Sequence, residues 1–436
     1  MKANEYSAFR RIQMHTRITR YLIRIIQKRP ICRPYSPCVL SISGLFVLLY
    51  LWFIVGGRFY SYLEPSNVVD YSSLTSAIFQ QRWKALSELN GAMFKSHGPI
   101  LQTDCTAPSI SDRGLFPLPF RAYHVVGTQM FAFPAQMDLL SRICLFRKGQ
   151  SIRNGSVRDR DFPLIHNQSE RCSASQTPVV DLLLLIRSAH IQWNRRDVIR
   201  KLWANKTCWT EMLVQHVFLL GTTPNRHQMD RIAREAKRHK DVIQQDFLDS
   251  YRNITYKFLL GLQWAIAFCP QAKWLLFIDD DFFVHPKLLS AFLGSLHPNF
   301  RYHLTLGSQH TNSEVIRDIS KWGISKTLYA PDKYPNFVSG GSHLLGSELA
   351  LELYIGSRFT DYFPLDDVFT GILLNKLLRT TLHSNNIIIT FPKARYKLQT
   401  HRIMTLHGVP RPSQQRLLWW RFGMNQACEI SSRPTV

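Results

Sequence analysis

The chain has 436 residues, room for two or three average domains, and sets 54 Lys and Arg against 30 Asp and Glu for a formal net charge of +24. With 45% hydrophobic and 12% aromatic residues it can bury a sizeable core, which excludes a wholly disordered chain, and eight cysteines are too few for a small disulfide scaffold. The charge invites a nucleic-acid reading until its distribution along the chain is followed.

Residues 1–33 hold nine basic residues and one acid, Glu5, and residues 34–57 hold no charge at all. Within that gap residues 38–55 are apolar at 15 of 18 positions. Extended to Gly57, the run makes about 30 Å of helix, the thickness of a bilayer's hydrocarbon core. A cleavable signal peptide would be shorter and nearer the start. The pattern predicts a basic cytosolic tail over 1–36 and an uncleaved signal anchor over 37–57, with the N-terminus kept cytosolic by its positive charge. Everything after it is then expected on the lumenal side. Four Asn-x-Ser/Thr sequons, at Asn154, Asn167, Asn205 and Asn253, follow the anchor, and so do six cysteines, an even number with fifteen possible pairings. No CxxC occurs, which leaves a zinc or thioredoxin-like reading with little support.

Residues 58–178 read as a stem and irregular extension. From 179 the texture changes, and 179–436 is expected to be the folded lumenal domain. Residues 179–186, 216–220 and 274–278 are short, nearly continuous apolar runs, as strands buried on both faces require. Residues 195–203, 229–239 and 256–268 carry apolar positions at helical spacing. Strands alternating with helices predict an α/β fold, a mostly parallel central sheet with helices on both faces, whose ligand site lies at the carboxyl ends of the strands.

Asp279, Asp280 and Asp281 directly follow the third apolar strand. A solvated acidic turn is one explanation. Adjacent carboxylates at a buried strand's end repel one another, however, and a hard divalent cation is their natural compensation. Asp366 and Asp367 open an apolar helix, where they serve either as cap and first-turn acids or as a catalytic base. Arg187, Arg195, Arg196, Arg200 and Lys201 follow the first strand or lie on its helix; some form a solvated face, and some could meet an acidic nucleotide.

In this order the segments resemble the β-1,3-glycosyltransferase family of galactosyl- and N-acetylglucosaminyltransferases, its brainiac-like branch most closely. Arg195, Arg196, Ile199, Arg200 and Trp203 are similar to its RRxxIRxTW segment, with Leu202 in place of Thr, and Phe218 to Gly221 to its FLLG. Glu235 and the block from Asp241 to Lys257 match its long E…DII-DF-DSY-NLT-K stretch almost position by position. Asp279 to Asp281 take the place of its DDD motif, Tyr334, Pro335 and Gly340 of its YPPYxxG segment, Asp366 to Gly371 of its E/DDVYxG motif, and Leu406, His407, Gly408 and Trp419 of its terminal SHG…W segment. The resemblance covers residues 179–420 or so. Phe277 stands where many members carry Lys, Gly340-Gly341-Ser342-His343 replaces a glycine-plus-aromatic stretch, and Asp366 stands where galactosyltransferases usually have Glu.

The resemblance implies a GT-A-type nucleotide-diphospho-sugar transferase fold. It also implies an inverting, metal-dependent β-1,3 transfer of N-acetylglucosamine or galactose from a UDP-sugar to a glycan hydroxyl on a glycoprotein or glycolipid, in a Golgi membrane protein of type II topology. The metal, Mn²⁺ or Mg²⁺, is expected on Asp279, Asp280, Asp281 and His407, with His383 a weaker candidate. Asp367 is expected as general base and Asp366 beside it; Arg196, Arg200, Asp246 and Lys257 are expected at the donor. A lumenal glycan-binding protein without catalysis is the alternative class, which the presence of both acidic motifs disfavours. The expected topology places the basic face where nucleic acid is absent.

Overall fold

The computed structural model describes residues 162–173, 177–209, 211–377, 379, 381–383, 403–426 and 428, with the backbone of 121–123 and the single positions Leu139 and Ile143. The chain parts into two units, Met1–Tyr71 and Ser72–Val436, and the described residues all belong to the second. The expected tail and anchor, most of the expected stem, Asn154, Cys105 and Cys144 lie outside the described residues. Among those described, no helix is long and apolar enough to cross a membrane.

The described elements run β1 (Arg121–Tyr123), β2 (Leu164–His166), β3 (Val180–Arg187), α1 (Trp193–Lys201), β4 (Val214–Thr222), α2 (Arg226–His239), β5 (Val242–Leu248), α3 (Ile254–Phe268), β6 (Ala272–Asp279) and β7 (Phe283–Val284). They continue with α4 (Pro286–Gly294), β8 (Thr305–His310), β9 (Phe337–Gly346), α5 (Ser347–Arg358), α6 (Asp366–Lys376), β10 (Thr381–His383), β11 (Thr405–Leu406) and α7 (Pro412–Arg421). Nine strands form one mixed sheet in the order β1-β10-β8-β9-β6-β3-β4-β5-β2. Its centre, β6-β3-β4-β5, is parallel, and β10 joins β8 in parallel. Strands β9, β2 and β1 pair antiparallel with their neighbours, which makes the sheet less uniform than the sequence pattern implies.

The apolar runs of the central strands follow from burial on two sides. Leu182, Leu184 and Ile186 of β3 face a core shared with Val198 and Ile199 of α1, while Leu183 and Leu185 face the opposite core, shared with Phe258 of α3 and Phe369 of α6. Each of these leucines is fully buried, which stabilises by about 1.5–3 kcal/mol per side chain. Strand β5 escapes this pattern because Gln244 and Gln245 are buried in it. They are tolerated because each amide donates to a backbone carbonyl, Gln244 to Gly221 at 2.6 Å and Gln245 to Phe162 at 2.7 Å.

Two disulfides are described, Cys172–Cys269 and Cys208–Cys428. The second ties the chain just beyond α7 to the turn after α1, and the described residues 403–426 lie at the carboxyl end of β6, with the Val409 N–H on the Asp281 carbonyl and Gln415 on that of Phe282. The sequons at Asn167, Asn205 and Asn253 are partly exposed. Asn167 Oδ1 accepts from Trp264 Nε1 at 3.0 Å, Asn205 Oδ1 from the Thr207 N–H at 3.1 Å, and Asn253 Nδ2 donates to the Leu248 carbonyl at 2.7 Å.

Candidate active site

The parallel register aligns the carboxyl ends of the central strands, and in it Arg187 of β3 stands beside Asp279 of β6. The antiparallel strand β9 runs along the other side of β6, pairing His343 with Phe277 and Ser342 with Ile278. That register brings Gly340 and Gly341 to the aspartates. A Cβ on Gly340 would sit 3.0 Å from Asp366 Oδ1, and one on Gly341 would sit 2.9 Å from the Phe282 ring. The glycines let the backbone of β9 lie against carboxylates that a side chain would displace.

The three aspartates after β6 point in different directions. Asp279 faces Arg187, with Nε to Oδ1 at 2.9 Å. Burial pushes its carboxyl up to about 7; Arg187 opposes the rise, while Asp281, Asp366 and Asp280 add to it. The group resists ionisation chiefly because of its burial, to which the crowding of other acids around one cation adds. Asp280 turns away: its oxygens accept from Ser188 Oγ and from Arg195 Nη1, both at 2.7 Å. Asp281 meets His407, Nε2 to Oδ2 at 3.5 Å, and the imidazole holds this carboxyl below the usual range despite its burial. The hydrogen bond to Asp281 in turn raises His407.

His407 owes its position to β11, which pairs Thr405 with Val284 and Leu406 with Phe283. Gly408, at φ 83°, then turns the chain through the left-handed region so that the Val409 N–H reaches the Asp281 carbonyl at 2.7 Å. The imidazole also stacks on Phe282, centroids 4.6 Å apart.

Across the mouth of the site, α6 begins at Asp366 after the extended Leu365. Asp366 is buried, and its Oδ2 accepts from Arg187 Nη1. Asp367 accepts from the N–H groups of Val368, at 2.8 Å, and Gly340, at 3.4 Å. Burial, and then the charge of Asp366, push the Asp367 carboxyl up to about 7. That value suits a group that must both lose and accept a proton near neutrality.

The expected donor residues distribute differently. Arg196 has no exposed surface: it grips Glu235 with Nε and Nη2, at 2.8 and 2.7 Å, and turns Nη1 to Ser188 Oγ and the Ala189 carbonyl. Arg200 pairs with Asp241 and Glu235. The sequence sets both beside the donor; the structure spends them on tying α1 to α2 and to the turn before β5, and neither offers a free guanidinium to a ligand. Lys257 is likewise engaged, by Asp249 Oδ1 at 2.8 Å and the Ser188 carbonyl at 2.5 Å, and so fixes the loop after β3. The Asp246 side chain is exposed on β5, away from these pairs. The side chain of His383 lies outside the described residues.

The profile of the Galactosyltransferase family matches residues 194–383. The chain is 32% identical to mouse beta-1,3-galactosyltransferase 5 over 250 residues, which cover 56% of this chain and 78% of that one. It is 36% identical to the gorilla beta-1,3-galactosyltransferase 5 over 244 residues, 55% of this chain and 80% of the relative. Mouse lactosylceramide 1,3-N-acetyl-beta-D-glucosaminyltransferase is 34% identical over 235 residues, 52% of this chain and 61% of the relative. This protein belongs to the galactosyltransferase family. It is a hexosyltransferase of the β-1,3-galactosyl and N-acetylglucosaminyl branch.

In this transferase the residue at the centre of the site is Arg187, which the sequence pattern marks as a cation near the nucleotide and not as a partner of the acids. It was legible only as one cation among several after β3, and its three partners lie 92 to 179 positions away in the chain. His343, visible in the sequence only as part of the stretch that departs from the family pattern, stands beside it. It is buried, stacks on Phe277 at 5.1 Å, and is driven down to about 3 by burial and by Arg187.

Proposed function

We propose that the protein is an inverting β-1,3-glycosyltransferase of GT-A type, which moves N-acetylglucosamine or galactose from a UDP-sugar to a hydroxyl of a glycan on a glycoprotein or glycolipid. The observation that carries this reading is the meeting, at the carboxyl end of the parallel strands, of an acidic cation-binding corner and a separate carboxyl poised near neutrality. Asp366 in place of Glu tilts the donor towards N-acetylglucosamine. We assign residues 58–178 as stem and 179–436 as the transferase domain, anchored in the Golgi membrane with type II topology.

A divalent cation, Mn²⁺ or Mg²⁺, fits the donor set here. Asp281 Oδ1 is buried without a hydrogen-bond partner, Asp279 is left under-compensated, and His407 stands beside them. Among the described residues no three such side chains converge as a ready-made cage. Hard cations of this kind need only one or two carboxylates when substrate phosphates supply the rest. Asp279 and Asp281 would hold it with His407, and Asp280 would orient the corner through Ser188 and Arg195. When bound, such an ion acts as a Lewis acid towards the leaving diphosphate.

The residues of the chain account for the remaining steps. Asp367 takes the proton of the acceptor hydroxyl as that oxygen attacks the anomeric carbon from the face opposite UDP, and the bond to the diphosphate oxygen breaks. Arg187 and the glycines of β9 hold the acids in place. Full-length protein in detergent, incubated with UDP-N-acetylglucosamine or UDP-galactose, Mn²⁺ and an acceptor panel, should yield a β-1,3-linked product. Unchanged transfer by Asp367→Asn would remove the base assignment, and glycan binding without any donor turnover would favour the non-catalytic class.

A further inference from the structure

Arg187 is 4% exposed and is shared by three elements. Its Nε faces Asp279 of β6 at 2.9 Å, its Nη1 donates to Asp366 of α6, and its Nη2 donates to the Gly340 carbonyl of β9. A guanidinium can do this because its donors are spread over a rigid plane, whereas an ammonium concentrates them at one point. We propose that Arg187 is a positioning residue that decides which of the two adjacent aspartates takes the acceptor proton, by bonding Asp366 and leaving Asp367 as the carboxyl to which no cation is bonded. The inference rests on the assignment of Asp367 as base and goes beyond it.

Two neighbouring carboxyls in one buried site cannot both ionise freely, and without a cation either could hold the proton. The partition here is set by partners. Asp366 has a buried guanidinium bonded to it, and no other described cation is within ion-pair distance of it. Asp367 has only the backbone N–H groups of Val368 and Gly340. The other ionisable groups that face it are Asp366, the phenols of Tyr251 and Tyr334, and Arg187, whose charge reaches Asp367 without a bond to it and opposes the rise that burial and Asp366 cause. Arg187 also acts on Asp367 at one remove, because the Gly340 carbonyl it grips belongs to the same residue whose N–H meets Asp367. The same side chain reaches Asp279, so the acceptor acid and the cation-binding corner are fixed to one rigid body.

The test is a charge-removal cycle on the full-length enzyme, with kcat and both KM values measured at saturating co-substrate and UDP binding measured separately. Arg187→Met should lower kcat on the order of 10²-fold, the scale of a misplaced general base, with donor KM changed far less. Adding Asp366→Asn to that variant removes the carboxyl left without its partner and should restore kcat at least tenfold. Arg187→Lys keeps the charge and is the variant to use if Arg187→Met does not fold. It should lose about tenfold in kcat, and Asp366→Asn should cost less in its background than in the wild type. A double variant no better than its worse parent, or an Arg187→Lys enzyme with wild-type kcat, overturns the proposal. Asp367→Asn is run alongside. If that variant transfers normally, the base assignment fails; if it is dead but the cycle shows no coupling, this inference alone fails.

Discussion

At Asp367 the local chemistry makes a testable statement about proton transfer. Burial of its carboxyl and the charge of Asp366 push it up to about 7, against the opposing pull of two backbone donors and Arg187. A base must be ionised to act, so kcat/KM should fall as pH drops below about 7, with the limb set by this group in the free enzyme. Initial rates from pH 5 to 9 will place the limb. Asp367→Asn should cost on the order of 10²–10⁴-fold in kcat and erase the limb; a limb that survives in the variant belongs to another group. Glycine 340 poses a second question at this scale. An added Cβ would fall 3.0 and 3.2 Å from the two oxygens of Asp366, so Gly340→Ala crowds that carboxylate and shifts it by a few tenths of an ångström against Arg187. A kcat loss of tenfold or more with little change in melting temperature is the expected result, since the displacement is confined to the site.

At the level of elements, legibility followed hydrophobic contrast. Strands β3, β4 and β6 could be read because they are buried on both faces, and α3 because its core side repeats at helical spacing. Strands β5 and β9 could not. The first hides two buried glutamines behind backbone hydrogen bonds, and the second carries Gly340, Gly341, Ser342 and His343, residues that a strand ordinarily disfavours. Those glycines are required by close approach to the aspartates, so the functional constraint is what obscured the strand. The site shows the same division: the two acidic motifs were visible as runs, while the Arg187 bridge depends on long-range register. The C-terminal segment adds a prediction at this level. Cys208–Cys428 closes a span of 220 residues and holds β11 and α7, with His407 between them, over β6. Replacing both cysteines by serine should lower unfolding free energy by about 2–5 kcal/mol. Denaturant titration of the oxidised protein and the double variant measures it, and an unchanged midpoint would mean that the core contacts of Trp419 hold the segment unaided.

For the molecule as a whole, opposing titrations set how stability responds to pH and to a cation. Asp279 and Asp367 are both raised to about 7, so between roughly pH 4 and 7 the folded state holds protons that the unfolded chain has released. Their contribution is full below the unfolded value and is lost as pH rises through 7. His285 and His343 act in the opposite sense: lowered to about 4 and about 3, they stay neutral when folded and cost stability as pH falls below the ordinary histidine value. Asp281, held low by His407, likewise favours the folded state only above the unfolded carboxylate value. A plain melting curve against pH therefore mixes terms of both signs. The increment on adding Mn²⁺ isolates the acidic corner, because binding there requires Asp279 to release its proton. Calorimetry with and without Mn²⁺ at pH 5.5 and pH 8 should show a larger stabilisation at pH 8, approaching about 2.7 kcal/mol at a hundredfold excess over Kd. Asp279→Asn should fold, since it relieves crowding among four acids, and should lose most of that increment at both pH values. An increment equal at the two pH values, or one that survives in Asp279→Asn, would locate the cation elsewhere in the protein.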